Sequence, residues 1–189
     1  VGGDTDVQIT DTSRIIALSL TGSVAANVAS LGFQENLVGR DVSTSFAGVE
    51  DLPVVTDGHS VNAESVLGLS PTLIITDGSV GPTDVILQLR DAGVAVVFVD
   101  RASSIDSIST VAQQVADALG VSDVGRQLNE RTQTQIDEKV AEIAAIAPTD
   151  PQKQLRIAFL YLRGSAGIYY LFGQESGVDG LVRSLGGID

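Results

Sequence analysis

Thr72-Leu73-Ile74-Ile75-Thr76-Asp77-Gly78 is followed at 83–92 by a segment with Val85, Ile86 and Leu89 on one helical face. Gly93 comes next, then the apolar run Val94-Ala95-Val96-Val97-Phe98-Val99. The order is strand, helix, strand. Neither strand run alternates between apolar and polar residues, which is the composition of strands covered on both faces of a parallel sheet. Asp77-Gly78 closes the first strand as a turn, and Gly93 lies where a helix ends.

The same unit recurs upstream. Arg14-Ile15-Ile16-Ala17-Leu18-Ser19 reads as a short buried strand, and Ser19-Leu20-Thr21-Gly22-Ser23 turns into a helical stretch, Val24 to Leu31, that Gly32 stops. Leu37-Val38-Gly39-Arg40 is another apolar run before a polar loop. Pro53-Val54-Val55-Thr56 leads into the turn Asp57-Gly58-His59-Ser60, after which Asn62 is placed to cap a helix carrying Val66, Leu67 and Leu69. Downstream, Ser104 to Leu119 has helical spacing and ends at Gly120. Strands alternating with helices predict an α/β fold with a mostly parallel sheet, in which ligands sit beyond the carboxyl ends of the strands. The loops at those ends are Leu20–Ser23, Arg40–Ser45, Asp57–Asn62, Asp77–Pro82 and Asp100–Ser103.

After Gly120 the rhythm changes. From Asp123 to Ala147 the apolar residues Val124, Leu128, Ile136, Val140, Ile143 and Ile146 recur with no proline, predicting one helix that spans roughly 35 Å. Pro148-Thr149-Asp150-Pro151 ends it in a stiff corner. A strand is expected over Leu155–Leu162, a turn at Gly164–Gly167, a second strand over Ile168–Phe172 and a helix over Val178–Leu185. The expected organisation is an N-terminal α/β lobe over 1–120, a connecting helix and corner over 121–150, and the beginning of a second lobe over 151–189. The residues after Asp150 are too few for a lobe with its own core.

Acidic residues outnumber basic ones by 24 to 11, so no electrostatic footprint for nucleic acid is present. Cysteine is absent, which excludes disulfides, thiolate metal sites and cysteine nucleophiles. No apolar run reaches the roughly 18 residues of a membrane span. Phosphate loops and a GxSxG elbow are missing as well, and one histidine is too few for a zinc or manganese centre of several histidines. The chain is expected to be a carrier and not an enzyme.

His59, on a strand-end loop, precedes Tyr161 by about a hundred residues, and Arg163 follows the tyrosine by two. Imidazole and phenolate both bind haem iron axially. On a strand Tyr161 and Arg163 share a face, and a neighbouring guanidinium favours the phenolate, a hard oxygen that prefers ferric iron. The metal ligands expected on this basis are His59 and Tyr161, with Arg163 supporting the tyrosine; Arg40 and Arg101 also lie at strand ends. The same residues admit plainer roles: His59 as a solvated turn residue, Tyr161 as packing beside Phe159, Arg163 as a cap on that packing. Tyr169 and Tyr170 on the next strand compete for the same crevice.

The order of α/β lobe, long helix, proline corner and second βα start resembles the bacterial ABC-transporter substrate-binding proteins that carry haem, cobalamin or siderophores. So do the stretches Arg14-Ile15-Ile16-Ala17-Leu18, Ser65 to Ile75 and Leu181-Val182-Arg183-Ser184-Leu185-Gly186-Gly187. Within that class the combination of His59, Tyr161 and Arg163 is similar to the HmuT-type haem-binding lipoproteins of actinobacteria such as corynebacteria. The resemblance implies a class III periplasmic-binding-protein-like fold, with the second lobe truncated in this chain. It also implies ferric haem held between lobes by the histidine and tyrosine, its propionates meeting basic groups at the crevice edge for which Arg40 and Arg101 are the candidates, delivery to an ABC permease, and receipt from haem-binding surface proteins upstream. The implied location is extracytoplasmic, with membrane association only through a lipid anchor outside this chain. A siderophore or cobalamin carrier of the same fold is the alternative, and a cofactor-free interaction domain is the alternative from another class.

Overall fold

The protein is described from a computed structural model, which covers residues 7–150, 152–164, 167–172 and 176–188; the side chain of Arg163 lies outside the described residues. By contacts the chain divides into two compact units. The first runs to Arg101 and resumes over Thr110–Asn129; the second comprises Ala102–Ser109 and the residues from Glu130 onward.

The first unit is built on a four-stranded sheet of β1 (Ile15–Leu18), β2 (Leu37–Arg40), β5 (Leu73–Thr76) and β6 (Ala95–Phe98), in the order β2-β1-β5-β6. Every pairing in it is parallel, as the unbroken apolar runs predict. The sheet is covered on both sides. Ile15, Ala17, Leu73 and Ile75 point to one face, where they pack with Val24, Ala25 and Val28 of α1 (Ser23–Val28) and Val111, Val115 and Ala116 of α4 (Ile108–Ala118). Ile16, Leu18 and Ile74 point to the other, against Val66 of α2 (Ala63–Gly68) and Ile86 and Leu89 of α3 (Thr83–Asp91). All seven of these strand residues are fully buried. Each large aliphatic side chain so buried contributes about 1.5–3 kcal/mol.

Local signals set the boundaries. Asn62 caps α2 by accepting the Ser65 N–H at 2.9 Å. The first helix is shorter than its sequence suggests: α1 ends at Val28, and a wider turn over Ala29–Phe33 carries the chain through Gly32 at φ 94°. The segment 53–57 does not form one strand. Arg40 N–H donates to Pro53 and Val55 N–H to Arg40, both at 2.9 Å, extending the sheet edge beside β2. The chain then turns back as a small antiparallel hairpin, β3 (Thr56–Asp57) and β4 (Ser60–Val61).

The long helix α5 spans Ser122–Ile146, close to its predicted extent. Its first turns group with the first unit and the remainder, from Glu130, with the second. In the second unit the expected strand over Leu155–Leu162 resolves into two pieces with different partners. Ile157 N–H donates to Ile188, and Ile188 N–H to Leu155, at 2.9 Å each; β7 then runs over Phe159–Arg163. It pairs antiparallel with β8 (Ile168–Phe172), and α6 follows over Val178–Ser184. Alternation along a strand reveals its faces but not its partners, so the change of partner after Ile157 had no sequence signature.

Candidate functional site

The carboxyl ends of β1, β2 and β5 are where the first unit places its buried polar residues. Among the described residues these are Ser19, Asp41, Thr44, Thr56 and Thr76, each at most 8% exposed. Asp41 is the hub. One carboxylate oxygen accepts the Ser19 N–H at 2.9 Å; the other accepts the N–H groups of Ser43 and Thr44 at 2.8 Å each and the Thr44 hydroxyl at 3.1 Å. A carboxylate at this depth is tolerable because its oxygens are met by hydrogen-bond donors. The loops after β1 and β2 are thereby fixed to each other. Ser79, in the loop after β5, accepts the Leu20 N–H at 2.9 Å and donates its hydroxyl to Asp77, bringing a third loop into the same network.

His59 stands at the tip of the β3–β4 hairpin. With Asp57 opposite Ser60, the loop is the two residues Gly58-His59, and Gly58 takes φ 56° at the first of them. A positive φ there, followed by a residue without one, is the pattern of a II′ hairpin, whose twist matches that of its strands. The hairpin is anchored on two sides. Thr56 accepts the Val42 N–H at 3.1 Å; Val61 N–H donates to Gly81 at 2.7 Å, and Gly81 N–H donates to the His59 carbonyl at 2.9 Å. The backbone of His59 is thus held against the loop after β5, while its imidazole is exposed.

The two arginines differ in how they are used. Arg40, partly buried, donates from Nη1 to the Thr44 carbonyl at 3.0 Å and from Nη2 to the Glu50 carbonyl at 3.3 Å, and its buried Nε has no partner. Its guanidinium braces the loop that follows β2. Arg101, exposed, reaches across to the carbonyls of Asp77 and Gly78 at 3.2 and 2.8 Å. At the same ends of the strands the apolar side chains of Leu20, Val42 and Phe98 are 38–49% exposed. The edge of this unit therefore presents an exposed imidazole, exposed apolar surface and a cation, a combination suited to an apolar ligand with acidic substituents.

In the second unit Tyr161 lies in the middle of β7, half exposed, directly opposite Tyr170 of β8. Arg163 is the last residue of β7 and its backbone pairs with Ile168. Because directly opposed residues share a face, Tyr170 and Phe172 lie on the side of Tyr161 and Phe159, whereas Tyr169 lies on the other with Leu160 and Leu162. Of the two competing tyrosines, only Tyr170 shares Tyr161's face. His59 belongs to the first unit, and Tyr161 and Arg163 to the second.

Asp41 is the residue that sequence reading passed over. Its signal was present, since Asp41-Val42-Ser43-Thr44 directly after a strand has the form of an aspartate turn that ties its own backbone two and three residues on. A depression of about 580 Å³ lined by Gln8, Asp11, Thr72, Arg90 and Val94 lies at the opposite, amino end of the sheet. None of the described His, Asp and Glu residues gather in threes as a metal-binding cluster, and no described helix is long and apolar enough to cross a membrane.

A family profile described as periplasmic binding protein matches residues 18–189. Among solved structures, the heme binding protein HmuT is 39% identical with a TM-score of 0.88, covering 98% of this chain and 59% of that one. The periplasmic heme-binding protein RhuT from Roseiflexus sp. RS-1 is 29% identical with a TM-score of 0.82, over 95% of this chain and 66% of that one. The periplasmic heme-binding protein BhuT, solved in complex with two hemes, is 26% identical with a TM-score of 0.78, over 93% and 66%. No curated protein sequence matches.

Proposed function

The chain belongs to the periplasmic binding protein family, and from that premise we propose that it is the substrate-binding component of a haem importer, holding ferric haem through His59 and Tyr161. The observation that carries the reading is a coincidence of residue types and spacing. HmuT has been solved with single alanine substitutions at a histidine, at a tyrosine about a hundred positions later, and at an arginine two positions after that tyrosine. His59, Tyr161 and Arg163 repeat that order and nearly that spacing.

Each residue has chemistry suited to its role. The imidazole of His59 projects from an anchored turn, so ligation costs little backbone ordering. Tyr161 would supply an oxygen ligand to the iron, and Arg163 would favour its phenolate form. Exposed Arg101 meets a propionate, and Arg40, committed to its loop, contributes mainly through its charge. The chain spans about three fifths of the HmuT length. The cargo passes to an ABC permease and arrives from haem-binding surface proteins; the protein works outside the cytoplasm, tethered by a lipid anchor, as a carrier with no catalytic step.

Titration of the full chain with ferric haem tests this. The expected result is a shifted Soret band and a tyrosinate-to-iron charge-transfer band, with Tyr161→Ala removing the latter and His59→Ala altering the former. Unchanged spectra and affinity in both variants would rule out the ligand assignment.

A further inference from the structure

The β7–β8 register sets Tyr170 directly across from Tyr161, with ring centroids 6.1 Å apart and planes inclined by 31°. Phe159 and Phe172 form the next pair on the same face, 6.2 Å apart and nearly edge to face at 76°. Two consecutive aromatic pairs thus run down one side of the hairpin. Tyr161 is 49% exposed and Tyr170 58% exposed, so neither ring is fixed by an enclosing core.

A half-exposed tyrosine on a two-stranded ribbon has alternative staggered positions open to it. Metal ligation requires one of them, because the phenolate oxygen must stay at bonding distance from the iron. The neighbour that restricts Tyr161 from across the strand is the Tyr170 ring. We propose that Tyr170 is a positioning residue for Tyr161, holding the phenol in the orientation in which it ligates haem iron. This inference rests on the haem reading above. It assigns a role to the ring of Tyr170, not to its hydroxyl. Tyr169, one residue earlier on the same strand, lies on the opposite face and has no such role.

Four variants of the full chain decide it: Tyr161→Phe, Tyr170→Ala, Tyr170→Phe and Tyr169→Ala. Each is loaded with ferric haem and read by its tyrosinate-to-iron charge-transfer band and by the rate of haem loss to apomyoglobin. Tyr170→Ala is expected to weaken or shift the band and speed haem loss roughly two- to tenfold, the range of an aromatic pair. Tyr170→Phe should restore both, and Tyr169→Ala should change neither. A normal band in Tyr170→Ala, in a protein where Tyr161→Phe abolishes it, overturns this inference alone. A band that survives Tyr161→Phe overturns the ligand assignment on which it rests. Equal damage from Tyr169→Ala, or no rescue by Tyr170→Phe, also overturns it, because the effect would then belong to hairpin stability or to the hydroxyl. Circular dichroism of each variant identifies any loss of fold, and the conservative Tyr170→Phe keeps the comparison usable if the alanine variant does not fold.

Discussion

The carboxylate of Asp41 accepts the backbone N–H of Ser19 at 2.9 Å, joining the loops after β2 and β1 through two residues that are at most 1% exposed. Three further donors, from Ser43 and Thr44, converge on the same side chain. Asp41→Ala would leave buried N–H groups without an acceptor, a loss of about 2–4 kcal/mol. Urea unfolding should show this as a lower midpoint at unchanged slope. Asp41→Asn keeps an acceptor oxygen and should lose less. Equal stability of wild type and Asp41→Ala would mean that the strand-end loops are held by something other than this carboxylate.

Gly22 and Gly58 both sit at positive φ, 71° and 56°, yet their surroundings differ. A Cβ on Gly58 would meet nothing within 4 Å, whereas one on Gly22 would lie 2.8 Å from the Ser43 carbonyl oxygen. Gly58→Ala therefore carries only the backbone cost of an alanine at positive φ, about 1–2 kcal/mol. Gly22→Ala carries that cost and a clash with main chain that Asp41 holds in place. Thermal unfolding should rank Gly22→Ala well below Gly58→Ala; the reverse order would contradict the loop packing described here.

The two variants also mark how far the sequence could be followed. The strand runs Leu73–Thr76 and Val94–Val99 were legible because both faces are apolar, and Gly22, Gly32 and Gly93 punctuated the chain where the backbone takes positive φ. That His59 lies in a strand-end turn was legible from Asp57-Gly58. Its clamping to Gly81 was not, since a hydrogen bond between backbones of two loops leaves no residue preference behind. The same holds for the strand ends. Arg40 and Arg101 were visible as cations there, but that Arg40 is spent on the carbonyls of Thr44 and Glu50 depends on how the intervening loop folds back. In the second unit alternation put Tyr161 and Arg163 on one face, while the pairing of Tyr161 with Tyr170 required the register across a turn.

Arg101 and Arg40 should therefore respond differently to substitution. Arg101 is exposed and donates to two carbonyls of the loop after β5, so Arg101→Ala should leave the unfolding free energy within about 0.5 kcal/mol of wild type. If it meets a propionate, the variant should bind ferric haem several-fold more weakly, and the difference should disappear with haem dimethyl ester, which has no carboxylates. Arg40→Ala removes the brace across Thr44 and Glu50 and should lower stability by about 1–3 kcal/mol even without ligand. Isothermal titration with the acid and the ester, beside urea unfolding, separates the two roles. Equal weakening for both ligands in Arg101→Ala would argue against a propionate contact.

Asp117, near the end of α4, provides a test by pH. The Ser122 hydroxyl and the Gln113 amide, the latter at 2.8 Å, donate to its carboxylate and hold its pKa below the usual aspartate value, with the nearby Arg126 charge acting in the same direction. Since the folded chain favours the ionised form, the stabilisation is complete above the pKa of the unfolded chain. It is lost as the pH falls through the lower, folded value. The side chain is exposed, so the contribution is small and belongs to the acidic end of the range. Unfolding temperatures measured from pH 6 down to pH 3 should decline for the wild type, and the decline should be shallower in Asp117→Asn, which has no charge to lose. Gln113 also donates to the Ser122 carbonyl at 3.1 Å, so Gln113→Ala should lower stability across the whole pH range and flatten the acid slope as well. Parallel acid slopes in all three proteins would show that Asp117 is not held in its ionised form by these donors.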